Sequence, residues 1–225
     1  MNKFYFILIT LLPFFGFCQK DTGSVKFTPT FGNTAIEPGK KYYSSKLNDS
    51  LNIETFRFYV SNLTLLKNGK VVYTVKNKFH LIDIEKKLSI SFLVKKIDFD
   101  VIKFNIGIDS TTNVSGAMGG DLDPVNGMYW AWQSGYINFK LEGAGKVCAT
   151  RNNIFQFHIG GYLNPYATLQ TITLSLKNKT EIDIKVDLEK FLNGIDLKNT
   201  NEIMSPGEKA VTLAKLYQTI FSVKE

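Results

Sequence analysis

Apolar and polar residues alternate along much of the chain with a repeat of two. A repeat of two places successive side chains on opposite faces of a β-strand. The pattern therefore predicts strands with one buried face. Its apolar positions are Phe56, Phe58 and Val60; Ile102, Phe104, Ile106 and Ile108; Ile137, Phe139 and Leu141; and Phe155, Phe157 and Ile159.

Two further runs, LQTITLSL from Leu169 and TEIDIKVDL from Thr180, are separated by the short segment KNK. This spacing predicts a β-hairpin. Strands with one buried face are typical of sandwiches and barrels. The fold class that follows is all-β: a mostly antiparallel β-sandwich, immunoglobulin-like or jelly-roll-like, with a C-terminal α-helix.

The pattern changes to helical spacing near the C-terminus. Ser205, Pro206 and Glu208 form the signature of a helix start, with a capping serine, a first-turn proline and an acid. Apolar residues then recur at helical spacing, which places them on one face and predicts a terminal helix packed on the sandwich. These residues are Ala210, Leu213, Ala214, Tyr217, Ile220 and Phe221. A shorter helix is predicted from Glu189 to Leu192, ended by Asn193 and Gly194.

The first residues, MNKFYFILITLLPFFGFCQK, have the composition of a secretory signal peptide. Lys3 precedes an apolar run that is too short to span a membrane, and polar residues follow. Bulky Phe17 before Cys18 disfavours lipoprotein processing, which requires a small residue there. We therefore predict a signal peptide over 1–18 and one exported domain over 19–225. That domain would be periplasmic or extracellular, without a transmembrane segment.

Composition narrows the function classes. Cys148 is the single cysteine after the predicted signal peptide, so no internal disulfide is expected. The formal net charge of +7 comes mainly from dispersed lysines, and Arg57 and Arg151 are the only arginines. Nucleic-acid-binding proteins favour dense basic patches. The sequence therefore predicts a solvated basic surface and no nucleic-acid partner.

The least regular segment runs from about residue 109 to 136 and ends in GMYWAWQSGY, which contains Trp130 and Trp132. Five glycines between Gly107 and Gly127 indicate a long surface loop, and long structured loops often carry binding groups. The two indole rings either fill a gap beneath this loop or have a chemical role. Ring content alone leaves both interpretations open.

Few side chains offer chemistry. His80 and His158 are the only histidines, and His158 is out of phase with Phe157 and Ile159, so it should face away from the packed side. No HxH, HExxH, CxxC or GxSxG spacing and no phosphate-binding loop occurs, and we expect no enzyme. Asp121 and Asp123 either form a turn or bind calcium, although Val125 and Gly127 break the EF-hand pattern.

Several blocks of the sequence together resemble the MbnP-like family of exported copper-binding proteins. The most specific block is LDPVNGMYWAWQSGY; the others are FRFYVSNLTLLKNGK, FHLID, FNIGID, FQFHIGG and IMSPGEKA. The resemblance implies a copper site made of histidine imidazoles and a kynurenine, which a dihaem peroxidase-like partner forms by oxidising a tryptophan. Imidazole suits copper well, and kynurenine offers an aniline nitrogen and a ketone.

Transferred to this chain, the resemblance implies that His80 and His158 bind copper and that Trp130 or Trp132 is modified. Met128, and similarly Met118, would be a soft supplementary ligand. The expected function is copper acquisition, storage or delivery outside the inner membrane. The alternative is a metal-free extracellular recognition module with an aromatic binding loop.

Overall fold

The protein is described by a computed structural model that covers residues 22–93, 97–133, 135–176 and 181–224. The predicted signal peptide over 1–18 and the KNK segment over 177–179 lie outside these residues. No helix in the described ranges is long and apolar enough to cross a membrane.

The described chain is mostly β-structure, as the alternating pattern predicts. Its strands are β1 Thr22–Phe31, β2 Thr34–Ala35, β3 Lys41–Ser44, β4 Asp49–Lys67, β5 Lys70–Thr74, β6 Phe79–Asp83, β7 Ser89–Leu93, β8 Val101–Ile106, β9 Tyr129–Trp130, β10 Gly135–Ala144, β11 Ile154–Gly160, β12 Gln170–Ser175, β13 Glu181–Asp187, β14 Glu202–Ile203 and β15 Phe221–Val223. Its α-helices are α1 Ser110–Val114, α2 Leu188–Asn193, α3 Glu208–Ala214 and α4 Tyr217–Ile220.

Two sheets pack face to face around the main core. The large sheet has the order β12-β8-β4-β10-β11-β14, and the small sheet has the order β15-β13-β1-β2 with β7 also beside β1. Phe27 of the small sheet contacts Phe58 and Phe104 of the large sheet edge to face, with centroids 5.5 and 5.6 Å apart. This arrangement confirms the predicted sandwich. Most pairings are antiparallel, whereas β1–β13 and β11–β14 are parallel.

The long strand β4 is the axis of the large sheet. Strands β3, β6 and β5 pair along one side of it, and β10 and β8 pair along the other. The register shifts between Ser61 and Thr64, where Asn62 has a positive φ of 50°. Asparagine tolerates this conformation, and an extra residue reverses which side chains face the core. Leu63 and Leu65 are therefore buried beyond the bulge.

The predicted hairpin between residues 169–176 and 180–188 is wrong. Strand β12 pairs with β8 in the large sheet, whereas β13 pairs in parallel with β1 in the small sheet. The alternation of Ile182, Ile184 and Val186 marks buried positions correctly. Alternation does not specify which sheet a strand joins, and here burial against β1 overrides the local turn signal.

The C-terminal helix is present but shorter than predicted. It begins at Glu208, after Gly207, without a side-chain cap, so the predicted capping role of Ser205 is wrong. The helical pattern divides into α3 and α4, and the chain then forms β15 beside β13. Helical spacing still predicted the buried side chains, including Tyr217 and Phe221. The short helix α2, followed by Gly194, confirms the other helix prediction.

Candidate functional site

The outer face of the large sheet, which points away from the small sheet, carries a second hydrophobic cluster beneath the long loop. The loop is more ordered than its composition predicts, since it contains α1, the 3-10 turns Gly120–Leu122 and Pro124–Asn126, and β9. Its apolar residues pack on the sheet and exclude water from the outer face. The buried members of the second cluster are Tyr59, Leu81, Ile108, Leu122, Met128, Trp130, Tyr136 and Ile137.

Charged side chains fix the 3-10 turns to the sheet. Oδ2 of Asp121 accepts hydrogen bonds from Leu81 N at 3.0 Å and from Lys87 Nζ at 2.9 Å. Asp123 caps the second turn by accepting from Val125 N at 2.9 Å. Asp123 therefore makes a turn-forming contact, whereas Asp121 connects the first turn to Leu81 and Lys87. In the described ranges no group of three or more His, Cys, Asp or Glu side chains that could hold a metal ion is found.

Arg57 connects β4, β6 and the loop. Its Nη1 donates to Asn126 O at 3.2 Å, and its Nη2 lies 3.0 Å from Glu85. Its Nε lies 2.9 Å from Oδ2 of Asp83, but the N–H does not point at that oxygen, so this contact is an ion pair rather than a hydrogen bond. The guanidinium therefore neutralises two acids beneath the loop.

Two buried amides, Asn138 of β10 and Asn113 of α1, hold the loops to the start of β10. Asn138 Oδ1 accepts from Ile108 N at 2.9 Å, and its Nδ2 donates to Thr168 Oγ1 at 2.9 Å. Asn113 Oδ1 accepts from Tyr136 N at 2.8 Å. These residues could not be predicted from the sequence, because an isolated asparagine gives no signal for the distant backbone group that it satisfies.

The two tryptophans have different environments. Trp130 is only 6% exposed within the second cluster, whereas Trp132 is 67% exposed, although their ring centroids are 6.0 Å apart. The Trp130 ring lies over Gly160 of β11, where an added Cβ would be 2.7 Å from Cζ3 of the indole. Trp130 therefore fills space beneath the loop, which was one of the two interpretations, and Trp132 does not.

His158 lies two residues before Gly160 on β11 and therefore shares its face of the strand. Its side chain lies on the strand face opposite to Phe157 and Ile159, as the sequence pattern predicts, yet it is only 7% exposed. Its Nε2 lies 2.6 Å from Oε1 of Glu142. That hydrogen bond lowers the pKa of Glu142 to about 2, opposed by burial and reinforced by Lys140.

A carboxylate that accepts from one imidazole nitrogen leaves the other nitrogen with its lone pair available. This is how proteins commonly orient a histidine that binds a metal. If Nε2 of His158 is the donor to Glu142, Nδ1 is the available ligand atom on the same face as the Trp130 ring. These side chains form the candidate site: His158, Glu142 and Trp130.

His80 lies elsewhere, on β6. Its Nε2 is 2.9 Å from Asn77 O, and its side chain is 5% exposed. Burial, assisted by the charge of Lys87, lowers the pKa of His80, so the ring is neutral at pH 7. The hydrogen bond between this ring and Asn77 O gives His80 a structural role that requires no metal.

The structure does not bring the two histidines together. His80 pairs with Val60 of β4, and His158 pairs with Lys140 of β10, so β4 and β10 lie between the strands that carry them. Three strand spacings separate those backbones by about 14 Å. The described residues contain no group of three or more His, Cys, Asp or Glu side chains that could hold a metal ion. His80 and His158 are therefore too far apart in this structure to bind the same copper ion.

The remaining candidate ligands differ in access. Met128 is fully buried in the second cluster, and Met118 is 46% exposed on the loop. Cys148 lies in the main core, where burial and the charge of Asp49 raise the pKa of its thiol to about 11. This thiol stays protonated at neutral pH and supplies no ligand or nucleophile.

Two loop segments lie beside the start of β10, which follows Trp132 in the chain. An added Cβ at Gly135 would lie 3.3 Å from Tyr162 and 3.7 Å from Asn113, which places residues 110–120 and 161–169 beside the start of β10. Neither segment contains a charged residue, nor does the turn over 131–133. Exposed apolar side chains lie along these segments: Val114, Met118, Trp132, Leu163 and Tyr166. We call these five residues the uncharged rim.

Comparison with known proteins identifies the class. The MbnP family model matches residues 20–205, and the chain belongs to the MbnP family. Among solved structures it is similar to MbnP from Methylosinus trichosporium, with a TM-score of 0.61, 13% sequence identity, and coverage of 83% of this chain and 82% of that one. At this identity the similarity supports the fold alone. A search of curated proteins finds no significant match.

Proposed function

We propose that this member of the MbnP family is an exported copper-binding protein that acquires, stores or delivers copper. Its site would lie on the outer face of the large sheet, at His158. The observation that carries the proposal is the placement of the Trp130 ring over Gly160, on the same face of β11 as His158. An imidazole with its carboxylate partner and an oxidisable indole thereby share one face of the sheet.

In this proposal His158 binds through the nitrogen that Glu142 leaves available, and Glu142 fixes the ring orientation. Oxidation of Trp130 to kynurenine would replace a poor ligand with an aniline nitrogen and a ketone, with a net loss of one carbon and gain of one oxygen. A dihaem peroxidase-like partner would perform the oxidation. Bound copper would supply redox chemistry and a preference for nitrogen and soft sulfur ligands.

His80 is not part of this site, because β4 and β10 separate it from His158. This gives the proposal a matched control within the chain, since His80 and His158 are the only histidines. Both are buried and hydrogen-bonded through Nε2. A loss of copper affinity caused by general damage to the fold would follow either substitution.

The test is copper titration, by competition with a chelator, of protein purified from its native exported fraction. His158→Ala should weaken copper binding at least about tenfold, and His80→Ala should leave it unchanged. Peptide mass spectrometry of the Trp130 peptide should find kynurenine in the same preparation. Unchanged affinity in the His158→Ala, His80→Ala double variant would exclude histidine-based copper binding altogether.

A second candidate function is a metal-free extracellular recognition module. The uncharged rim favours it, because exposed apolar patches mark interaction surfaces. Metal analysis of the native protein after dialysis against a weak chelator separates the two candidates. Copper retained in proportion to protein supports the first, and its complete absence together with unmodified tryptophans supports the second.

A further inference from the structure

We propose that Trp132 is an electron relay through which a one-electron oxidant at the surface reaches buried Trp130. The inference deepens the proposed function. It rests on that function only in taking oxidised Trp130 as a copper ligand. The relay itself depends on the unmodified, copper-free chain. It assigns different roles to the two rings, which the sequence could not distinguish.

The two indole rings are electron donors that lie close together, one at the surface and one buried. Trp132 is 67% exposed and Trp130 is 6% exposed, and their centroids are 6.0 Å apart with an interplanar angle of 49°. Indole is among the most easily oxidised side chains, and electrons exchange readily between aromatic rings this close. An oxidant too large to enter beneath the loop therefore contacts Trp132 and oxidises Trp130 through it.

The surroundings of Trp132 favour this entry point. The turn over 131–133 that carries Trp132 contains no acidic or basic side chain, and the Trp132 ring is 67% exposed. Trp130, by contrast, is enclosed by the second cluster and by Gly160. Direct contact between an outer-sphere oxidant and Trp130 is blocked, whereas contact with Trp132 is not.

The step balances as two one-electron transfers. The oxidant takes one electron from Trp132 and is itself reduced by one electron, leaving the Trp132 radical cation. That radical cation takes one electron from Trp130, which restores neutral Trp132 and leaves the Trp130 radical cation. No bond forms or breaks in the relay. The Trp130 radical cation then loses its indole N–H proton to water, and dioxygen adds to the resulting neutral radical with formation of a C–O bond.

The experiment uses photogenerated tris(bipyridyl)ruthenium(III) as the oxidant, on copper-free protein made without any oxidising partner. Oxygenated products at each tryptophan are then quantified by peptide mass spectrometry. The relay predicts oxidation of Trp130 in the unsubstituted chain and a several-fold lower yield in Trp132→Phe. Phenylalanine keeps a ring over Trp130 but is not oxidised by this reagent.

Two further variants make the result specific. Trp130→Phe should increase oxidation at Trp132, because the radical can no longer leave it. Tyr43→Phe removes an oxidisable phenol that is 61% exposed on β3, away from the rim, and should change neither yield. Equal Trp130 oxidation with and without Trp132, or oxidation confined to Trp132 in the unsubstituted chain, would overturn the relay. Neither result depends on copper titration, so the relay and the copper site fail independently.

Discussion

Nε2 of His158 and Oε1 of Glu142 lie 2.6 Å apart, diagonally across the pairing of β10 with β11. The contact joins the imidazole of the candidate site to a half-buried carboxylate. The hydrogen bond from His158 is the main cause of the low pKa of Glu142, about 2 against a usual value of 4.5. A depressed carboxyl pKa means that the folded state favours the ionised form.

The first prediction concerns the acid stability of the metal-free protein. Because the folded pKa of Glu142 is lower than the unfolded one, its contribution is fully present above pH 4.5 and is lost as the pH falls to about 2. Glu142→Gln should lower the free energy of unfolding by about 1–2 kcal/mol at pH 7, after allowance for solvent screening. Urea unfolding across this pH range measures it.

The control is the pH dependence itself. The difference between the unsubstituted protein and Glu142→Gln should shrink through the interval from 4.5 to 2 and vanish below it. A difference that stays constant with pH would mean that the glutamine harms packing and that the carboxylate charge contributes nothing.

The second prediction concerns the support of Trp130. A Cβ at Gly160 would lie 2.5 Å from Tyr136 O and 2.7 Å from the indole, distances that require movement. Gly160→Ala should displace the Trp130 ring, shift its fluorescence to longer wavelength and destabilise the fold by about 2 kcal/mol. Gly119→Ala is the control, since its Cβ would meet no atom within 4 Å. Identical emission spectra for both variants would show that Trp130 does not depend on Gly160.

The sequence predicted which side chains are buried better than it predicted which strands are neighbours. The alternation at Phe56, Phe58 and Val60 identified the core face of β4, because a period of two is a property of the strand itself. The false hairpin and the bulge at Asn62 depend instead on contacts with distant strands. Local patterns contain no information about such partners.

The candidate site could be predicted only in part, because it too depends on contacts between distant strands. The block containing Trp130 and the position of His158 opposite Phe157 could be identified from the sequence. The distance between His80 and His158 could not, since it depends on how many strands lie between β6 and β11. Glu142 was missed because its partner is 16 residues away on the next strand.

The third prediction tests the buried amides that hold the loops. Asn138→Ala leaves the buried Ile108 N–H without an acceptor and removes the donor to Thr168 Oγ1, and should cost about 3 kcal/mol. Asn105→Ala removes only an exposed bond from Thr171 and should cost less than about 0.5 kcal/mol. Chemical denaturation measures both. Equal losses would show that burial of the amide does not determine its contribution.

The fourth prediction uses the two arginines of the chain. The side chain of Arg57 is 17% exposed and faces Asp83, whose side chain is 4% exposed, so Arg57→Met leaves a buried carboxylate without its cation. Removing one partner of a buried ion pair is costly, and we expect a loss of about 3 kcal/mol in the free energy of unfolding. Arg151→Met removes an exposed arginine and should change stability by less than about 0.5 kcal/mol.

Recovery in a double variant distinguishes an unpaired charge from lost packing. Asp83→Asn in the Arg57→Met background removes the uncompensated carboxylate charge and should restore part of the stability. The loop should recover less, because Asn126 O still lacks its hydrogen bond from Arg57. Proteolysis within the loop would therefore remain faster in the double variant than in the unsubstituted protein. Stability no higher in the double variant than in Arg57→Met alone would mean that Arg57 acts through packing of its alkyl chain, and the ion pair with Asp83 would then contribute little.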